Sequence, residues 1–220
     1  MVKLGRFIVV EGLEGAGKST VVNIMMQYLK QHNIPTLSTR EPGGTKIGEA
    51  LRQLIKHGLE GETLVPRAEL LLMYAARVQL VETTIRPSLA QGTWIIADRF
   101  EWSTYAYQGG GRRIDAQVIQ TISQAALQGF EPDNTVYLDI APEQGLMRAK
   151  ARGEIDLIEQ ESLDFFHRVA QVYHEKIRNT QQVTVLDAAQ SLPWMRDQIE
   201  HLLQSLMHHH DVSHARHASE

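Results

Sequence analysis

The segment FIVVEGLEGAGKST, from Phe7 to Thr20, sets the architecture of the whole chain. It opens on Phe7, Ile8, Val9 and Val10, a short apolar run rich in β-branched residues, which reads as a buried strand. Gly12, Gly15, Gly17, Lys18 and Ser19 then match the pattern G-x-x-x-x-G-K-[ST] without a mismatch. Val21, Val22, Ile24, Met25 and Leu29 follow at near-helical spacing. Strand, glycine loop and helix therefore stand in the order of a phosphate-binding P-loop.

The residue types follow from the ligand. A triphosphate gives up water only to something equally polar. Backbone N–H groups serve where no Cβ blocks their approach, and the helix N-terminus adds unpaired donors and the positive end of its dipole. Gly12, Leu13, Glu14, Gly15, Ala16, Gly17, Lys18, Ser19 and Thr20 form the expected nucleotide cradle. Lys18 is expected to reach the β- and γ-phosphates, and Ser19 to offer its hydroxyl to Mg2+.

Outward from this loop, the pattern predicts further strands over Ile34–Thr39, Thr93–Ala97, Thr135–Leu138 and Val183–Leu186. Between them lie helical patterns: Ile47 to Ile55, a long one from Val65 to Leu89, Ile114 to Leu127, one opened by Pro142, Leu163 to Ile177, and Met195 to Leu206. Five apolar strands alternating with helices predict a five-stranded parallel sheet covered on both faces, a three-layer α/β/α fold of the P-loop NTPase type. Ligands in such folds bind beyond the carboxyl ends of the strands, where Glu11 to Ser19, Arg40, Asp98, Arg99 and Asp187 fall. Asp98 ends a strand, as Mg2+-side carboxylates of P-loop enzymes do, so Ser19 and Asp98 form the expected metal pair.

With 220 residues, 43% of them hydrophobic, the chain is long enough for one full core. A net charge of -4 gives no basic field for nucleic acid, and the lack of cysteine excludes disulfides and thiol catalysis. No membrane-length apolar run or signal-peptide pattern occurs, so a cytoplasmic protein is expected. One domain over residues 1–207 is expected, followed by a flexible His-rich tail over residues 208–220.

The P-loop alone leaves GTPases, motor-type ATPases and kinases open. The chain has no N-K-x-D and no D-x-x-G after a strand, which disfavours a GTPase. Four further motifs are more specific: REPGGT at Arg40–Thr45, YAARVQLVE at Tyr74–Glu82, DRFEWSTYAYQGGGR at Asp98–Arg112 and RAKARGEIDLIEQE at Arg148–Glu161. In this order, over nearly the whole chain, they resemble the thymidylate kinase family.

The resemblance implies transfer of the γ-phosphoryl group of ATP to dTMP, with Mg2+, in a homodimer packed through helices. It implies a dTMP site built from Glu14, Arg40, Met73, Arg77, Arg99, Ser103, Thr104, Tyr107 and Gln108. Two guanidinium groups, Arg40 and Arg99, suit a dianionic monophosphate because each donates a fork of hydrogen bonds. The resemblance further implies a cis bond at Glu41–Pro42 that aims Arg40. It assigns Glu14 to the 3′-hydroxyl, Arg77 to thymine O4, and Tyr107 to exclusion of a 2′-hydroxyl, while Glu11 only braces the loop. Gln108 offers both donor and acceptor to the base edge. Met73 stands where the family usually has a stacking aromatic, Phe100 where it has Tyr or His, and Leu157 where some relatives have arginine.

By the same resemblance, residues 148–161 form a lid over ATP. Eukaryotic relatives carry an arginine at the place held here by Gly15; bacterial ones supply it from the lid. The expected catalytic set is Lys18, Arg99, Arg148 and Arg152, with Arg152 on the phosphates and Arg148 nearer adenine. The alternatives are another P-loop nucleoside or nucleoside monophosphate kinase, or an ATP sensor that transfers nothing.

Overall fold

The structure, a computed structural model, describes residues 5–151, 153 and 156–217. Its sheet has five parallel strands in the order β2-β3-β1-β4-β5: β1 Phe7–Gly12, β2 Thr36–Arg40, β3 Trp94–Asp98, β4 Asn134–Asp139 and β5 Val183–Asp187. The expected α/β class and parallel sheet are observed. The interior strand β1 is buried along its whole length, whereas the edge strands β2 and β5 are partly exposed and carry the polar residues. β2 starts later than the apolar pattern suggests, at Thr36, after Pro35, whose carbonyl accepts from Trp94 N at 2.7 Å.

Successive residues of β1 serve opposite faces, because strand side chains alternate. Ile8 and Val10 join one core with Leu29, Tyr137, Tyr173 and Ile199. Phe7 and Val9 join the other with Leu70, Leu80, Ile85 and Ile95. The first core lies under α1 (Lys18–Gln31), α8 (Leu163–Arg178) and α9 (Leu192–His217). The second lies under α3 (Pro66–Leu80) and α6 (Ala116–Leu127). Helix α9 is continuous to His217, so helical backbone continues past Met207 into the His-rich tract.

The long helix expected over Val65 to Leu89 is one rod with a wide turn inside it. Helix α3 passes through a π-helical turn at Val81–Ile85 into the short α4, Arg86–Ala90. Pro87 has no N–H and its ring crowds the carbonyl four residues back, and the widened turn relieves both problems.

A second helical segment has no counterpart in the apolar pattern. The short helix α5, Glu101–Thr104, runs into a π-helical turn at Tyr105–Gly111. Its glycines let it lie against α8. A Cβ at Gly111 would stand 2.4 Å from the Phe165 ring, and one at Gly110 would stand 2.8 Å from the Arg168 carbonyl. Arg168 fastens the contact, donating to the carbonyls of Gly110 at 3.1 Å and Gly111 at 3.0 Å.

Helix α2 (Lys46–His57) is capped by Thr45, whose side chain accepts from Gly48 N, and stops at Gly58. Helix α7 (Pro142–Lys150) leads into the lid segment. The sheet register brings the ends of β2, β1 and β3 together, with Arg40 opposite Asp98 and Val10 opposite Asp98. No helix of the described residues is long and apolar enough to cross a membrane.

Candidate active site

A cavity of about 590 Å³ opens beyond these strand ends. The P-loop forms its floor through Glu14, Gly15, Gly17, Lys18, Ser19 and Thr20. Gly17 caps α1 at φ 93, a left-handed conformation that glycine adopts without a Cβ penalty. Gly12, Leu13 and Ala16 lie beneath the lining, and Leu13 and Ala16 are buried in the core. Lys18 Nζ folds over the loop and donates to the carbonyls of Gly12 at 3.1 Å and Leu13 at 2.8 Å. Burial and the nearby Arg99 guanidinium lower the Lys18 ammonium to about 8. A bound polyphosphate would offer oxygens in place of the two carbonyls.

Ser19 Oγ donates to Asp98 Oδ2 at 3.3 Å, so the two expected metal-side oxygens converge. A hydroxyl and a carboxylate at the cavity wall suit a hard cation that keeps most of its water, as Mg2+ does.

Arg99 follows Asp98 at φ 72, which turns its side chain across the cavity wall. Its Nη2 donates to Glu14 Oε1 at 2.6 Å and to Tyr107 Oη at 3.2 Å; its Nη1 donates to Ser103 Oγ at 3.1 Å and to Tyr173 Oη at 3.3 Å. Tyr107 Oη in turn donates to Glu14 Oε2 at 2.6 Å. Both Glu14 oxygens are thus engaged, and the carboxylate is aimed at Arg99, away from the phosphate cradle. Arg40 reaches the same cavity from the end of β2, holding Glu49 at 2.9 Å. The Glu41–Pro42 bond that follows it is cis, as the sequence resemblance implies.

Glu11 does more than brace the loop. It is fully buried and accepts four hydrogen bonds: Phe100 N at 2.9 Å, Ser103 N at 3.1 Å, Ser103 Oγ at 2.7 Å and Tyr173 Oη at 2.8 Å. One carboxylate therefore ties the end of β1 to the Arg99 loop and to α8. Tyr173 belongs to the apolar stripe of α8, and nothing in that stripe marks its hydroxyl as functional.

Met73 and Gln108 also line the cavity. Arg77 and Thr104 lie behind the lining. Arg77 is fully buried; its Nε donates to Glu41 Oε2 at 2.6 Å, and its Nη2 to Thr104 Oγ1 at 2.9 Å and to the Phe100 carbonyl at 3.2 Å. Its Nη1 and Gln108 Oε1 are both buried without a hydrogen-bond partner among the described residues. Unmet buried polar atoms are costly, and Gln108 belongs to the cavity wall, so a donor on a ligand held there would relieve its Oε1.

Burial pushes the Glu41 carboxyl up to about 7, against the pull of Arg77. Its folded-state pKa exceeds the ordinary 4.5, so the folded chain holds more protons between these values. Glu41 thus favours the fold fully below about 4.5, and that contribution fades as pH rises through 7. Replacing Glu41 with Gln should flatten the fall in unfolding free energy between pH 5 and 7.5 by about 1–3 kcal/mol, read from urea titrations of both proteins. Equal slopes would refute it.

The lid segment contributes Arg148, Asp156, Ile158 and Glu159 to the cavity wall. Asp156 Oδ2 pairs with Lys56 Nζ at 2.9 Å, and Leu157 N donates to the Lys56 carbonyl at 3.3 Å, so the lid rests on the end of α2. Arg148 Nη1 donates to the Ala188 carbonyl at 2.9 Å, beyond β5. Arg152 lies outside the described residues. Helix α7 comes very close to the P-loop. A Cβ on Gly15, at φ +72, would stand 2.1 Å from the Gly145 carbonyl, and one on Gly145 would stand 2.6 Å from the Glu14 carbonyl.

The family model for thymidylate kinase matches residues 10–199, a span that includes every described feature of this cavity. Two curated proteins named thymidylate kinase, from Legionella pneumophila strains Corby and Paris, are each 51% identical to the chain over 205 residues. Each alignment covers 93% of this chain and 97% of the relative. With a P-loop and Arg40 and Arg99 in the wall of one cavity, and with this match over most of its length, the chain belongs to the thymidylate kinase family.

Proposed function

We propose that the chain phosphorylates dTMP to dTDP, a step of dTTP synthesis, with ATP as phosphoryl donor and Mg2+ as the metal. The observation that carries the reading is one cavity whose wall holds both the Lys18-bearing P-loop and Met73 and Gln108, together with Arg40, Arg99 and Tyr107.

Phosphoryl transfer needs positioning and charge compensation more than covalent help from the protein. The P-loop amides and Lys18 hold the donor phosphates. Arg99, with Arg40, holds the monophosphate of the acceptor, and the Glu14–Tyr107 bond keeps Arg99 on station. Ser19 and Asp98 would hold Mg2+, which would supply charge neutralisation at the donor phosphates. A lid closing over the nucleotide would exclude water, with Arg148 and Arg152 as its cations for the charge spread over the equatorial oxygens. At the base end, Arg77 Nη1 complements thymine O4, Gln108 Oε1 complements N3–H, and Met73 packs on the ring. Tyr107, in the cavity wall, is the residue that would limit room at the sugar 2′-position.

An ADP-release assay with dTMP, dUMP, dCMP and thymidine as acceptors tests this reading. dTMP should give the highest kcat/KM, and thymidine, lacking the phosphate that Arg99 would hold, should give almost none. A preference for thymidine or for dCMP would make the chain a different kinase. No turnover with any of them, alongside ATP binding, would favour the sensor.

A further inference from the structure

Gln108 lines the base end of the cavity and is 1% exposed, so its amide cannot turn to water to satisfy itself. Its Nε2 donates to Glu69 Oε1 at 2.7 Å, and its Oε1 has no partner. Glu69, on α3, is itself buried. It also accepts from Arg112, at 3.5 Å from Nε to Oε1 and at 3.3 Å from Nη2 to Oε2. Arg112 Nη1 reaches on to Glu161 at the end of the lid segment. A carboxylate beside a guanidinium is an acceptor only. The reverse rotation of the Gln108 amide would press its carbonyl oxygen against that carboxylate in a space without water. The choice between the two amide orientations is therefore made by Glu69, not by Gln108.

We propose that Glu69 is a positioning residue for base selection. It locks the Gln108 carbonyl oxygen toward the base, so the site takes pyrimidine monophosphates whose N3 carries a proton and refuses those whose N3 is an acceptor. The proposal rests on the dTMP kinase reading above and deepens it. Thymine and uracil present N3–H to Gln108 Oε1. Cytosine presents a bare N3 to the same atom, acceptor against acceptor, and its amino group meets the Arg77 donor. A site that hydrogen-bonds one edge pattern rejects the reversed one strongly, because its own buried groups are then left unpaired.

In Glu69→Gln, the new amide offers either a donor or an acceptor to Gln108, and both rotations of Gln108 become available. The ratio of kcat/KM for dTMP over dCMP should then fall at least about tenfold, mainly through KM. The ratio for dTMP over dUMP, two bases with the same edge, should stay within twofold. Loss of general packing would lower all three substrates together and leave the ratios in place. An unchanged dTMP to dCMP ratio in the variant, with a wild type that turns over dTMP, overturns the role of Glu69; a wild type inactive on dTMP overturns the functional reading itself. A measurement on the wild type covers the case in which the variant fails to fold. On addition of dTMP, the NMR signal of the Gln108 side-chain carbonyl carbon should move while its amide protons, held by Glu69, stay in place. Movement of the amide protons with a stationary carbonyl would overturn the proposal.

Discussion

Replacement of Lys18 by Met should lower turnover by at least about a hundredfold while the chain stays folded. Lys18 Nζ already lies over the loop, bonded to the carbonyls of Gly12 and Leu13. No large rearrangement is needed for it to exchange those oxygens for phosphate oxygens. In the transition state, negative charge shifts between bridging and terminal oxygens, and a fixed ammonium in a water-poor pocket stabilises that shift far more than one in solution. Burial, with Arg99 nearby, lowers the Lys18 ammonium to about 8, so the side chain is held there at a cost that a phosphate would offset. A neutral thioether of similar length removes that cost, and the variant should melt no lower than the wild type. Single-turnover rates with saturating ATP and dTMP measure the effect. A rate within threefold of wild type would sink the assignment of this loop as the phosphate cradle.

Replacement of Glu11 by Gln should be the most destabilising conservative change at the site. The four hydrogen bonds to Glu11 all come from donors, two backbone N–H groups and two hydroxyls, one of them on α8. An amide turns one of the two accepting oxygens into a donor, so at least one N–H or hydroxyl hydrogen loses its acceptor in a buried place. The cost is about 2–4 kcal/mol, or roughly 5–15 °C in Tm for a chain of this length. The Arg99 loop hangs from the same carboxylate, so kcat/KM for dTMP should fall while ATP affinity is largely kept. A calorimetric midpoint unchanged by the substitution would show that Glu11 is not the anchor of that loop.

The apolar strand patterns, the glycine loop and the chain breaks at Gly58, Gly129 and Pro132 made the parallel sheet legible, because those signals are local and periodic. The Tyr105–Gly111 turn was not legible. Its glycines carry no apolar period, and their lack of side chains is what lets that turn pack against Phe165 and Arg168. In the site, Lys18, Ser19, Asp98, Arg99 and Gln108 fall in motifs, and the structure brings them to one cavity. The residues that hold them in place were harder to see. Glu11, Tyr173 and Glu69 act through partners far away in sequence, and only folding brings those partners close. Glu69 left a faint trace, since it lies four residues before Met73 and eight before Arg77, on the face of α3 that turns toward the cavity. Glu14 was legible as part of the P-loop motif, but its two partners, Arg99 and Tyr107, were not.

The contact between Gly15 and Gly145 bears on how such an enzyme could change. A side chain at position 15 would have to displace a backbone carbonyl of α7, not the yielding tip of another side chain. An arginine therefore cannot migrate from the lid to the P-loop through one substitution at Gly15. Helix α7 must first be shifted or recut around position 145, and the lid that it carries would move with it. Positions 15 and 145 are therefore coupled: a side chain at the first is admitted only together with a change of backbone at the second.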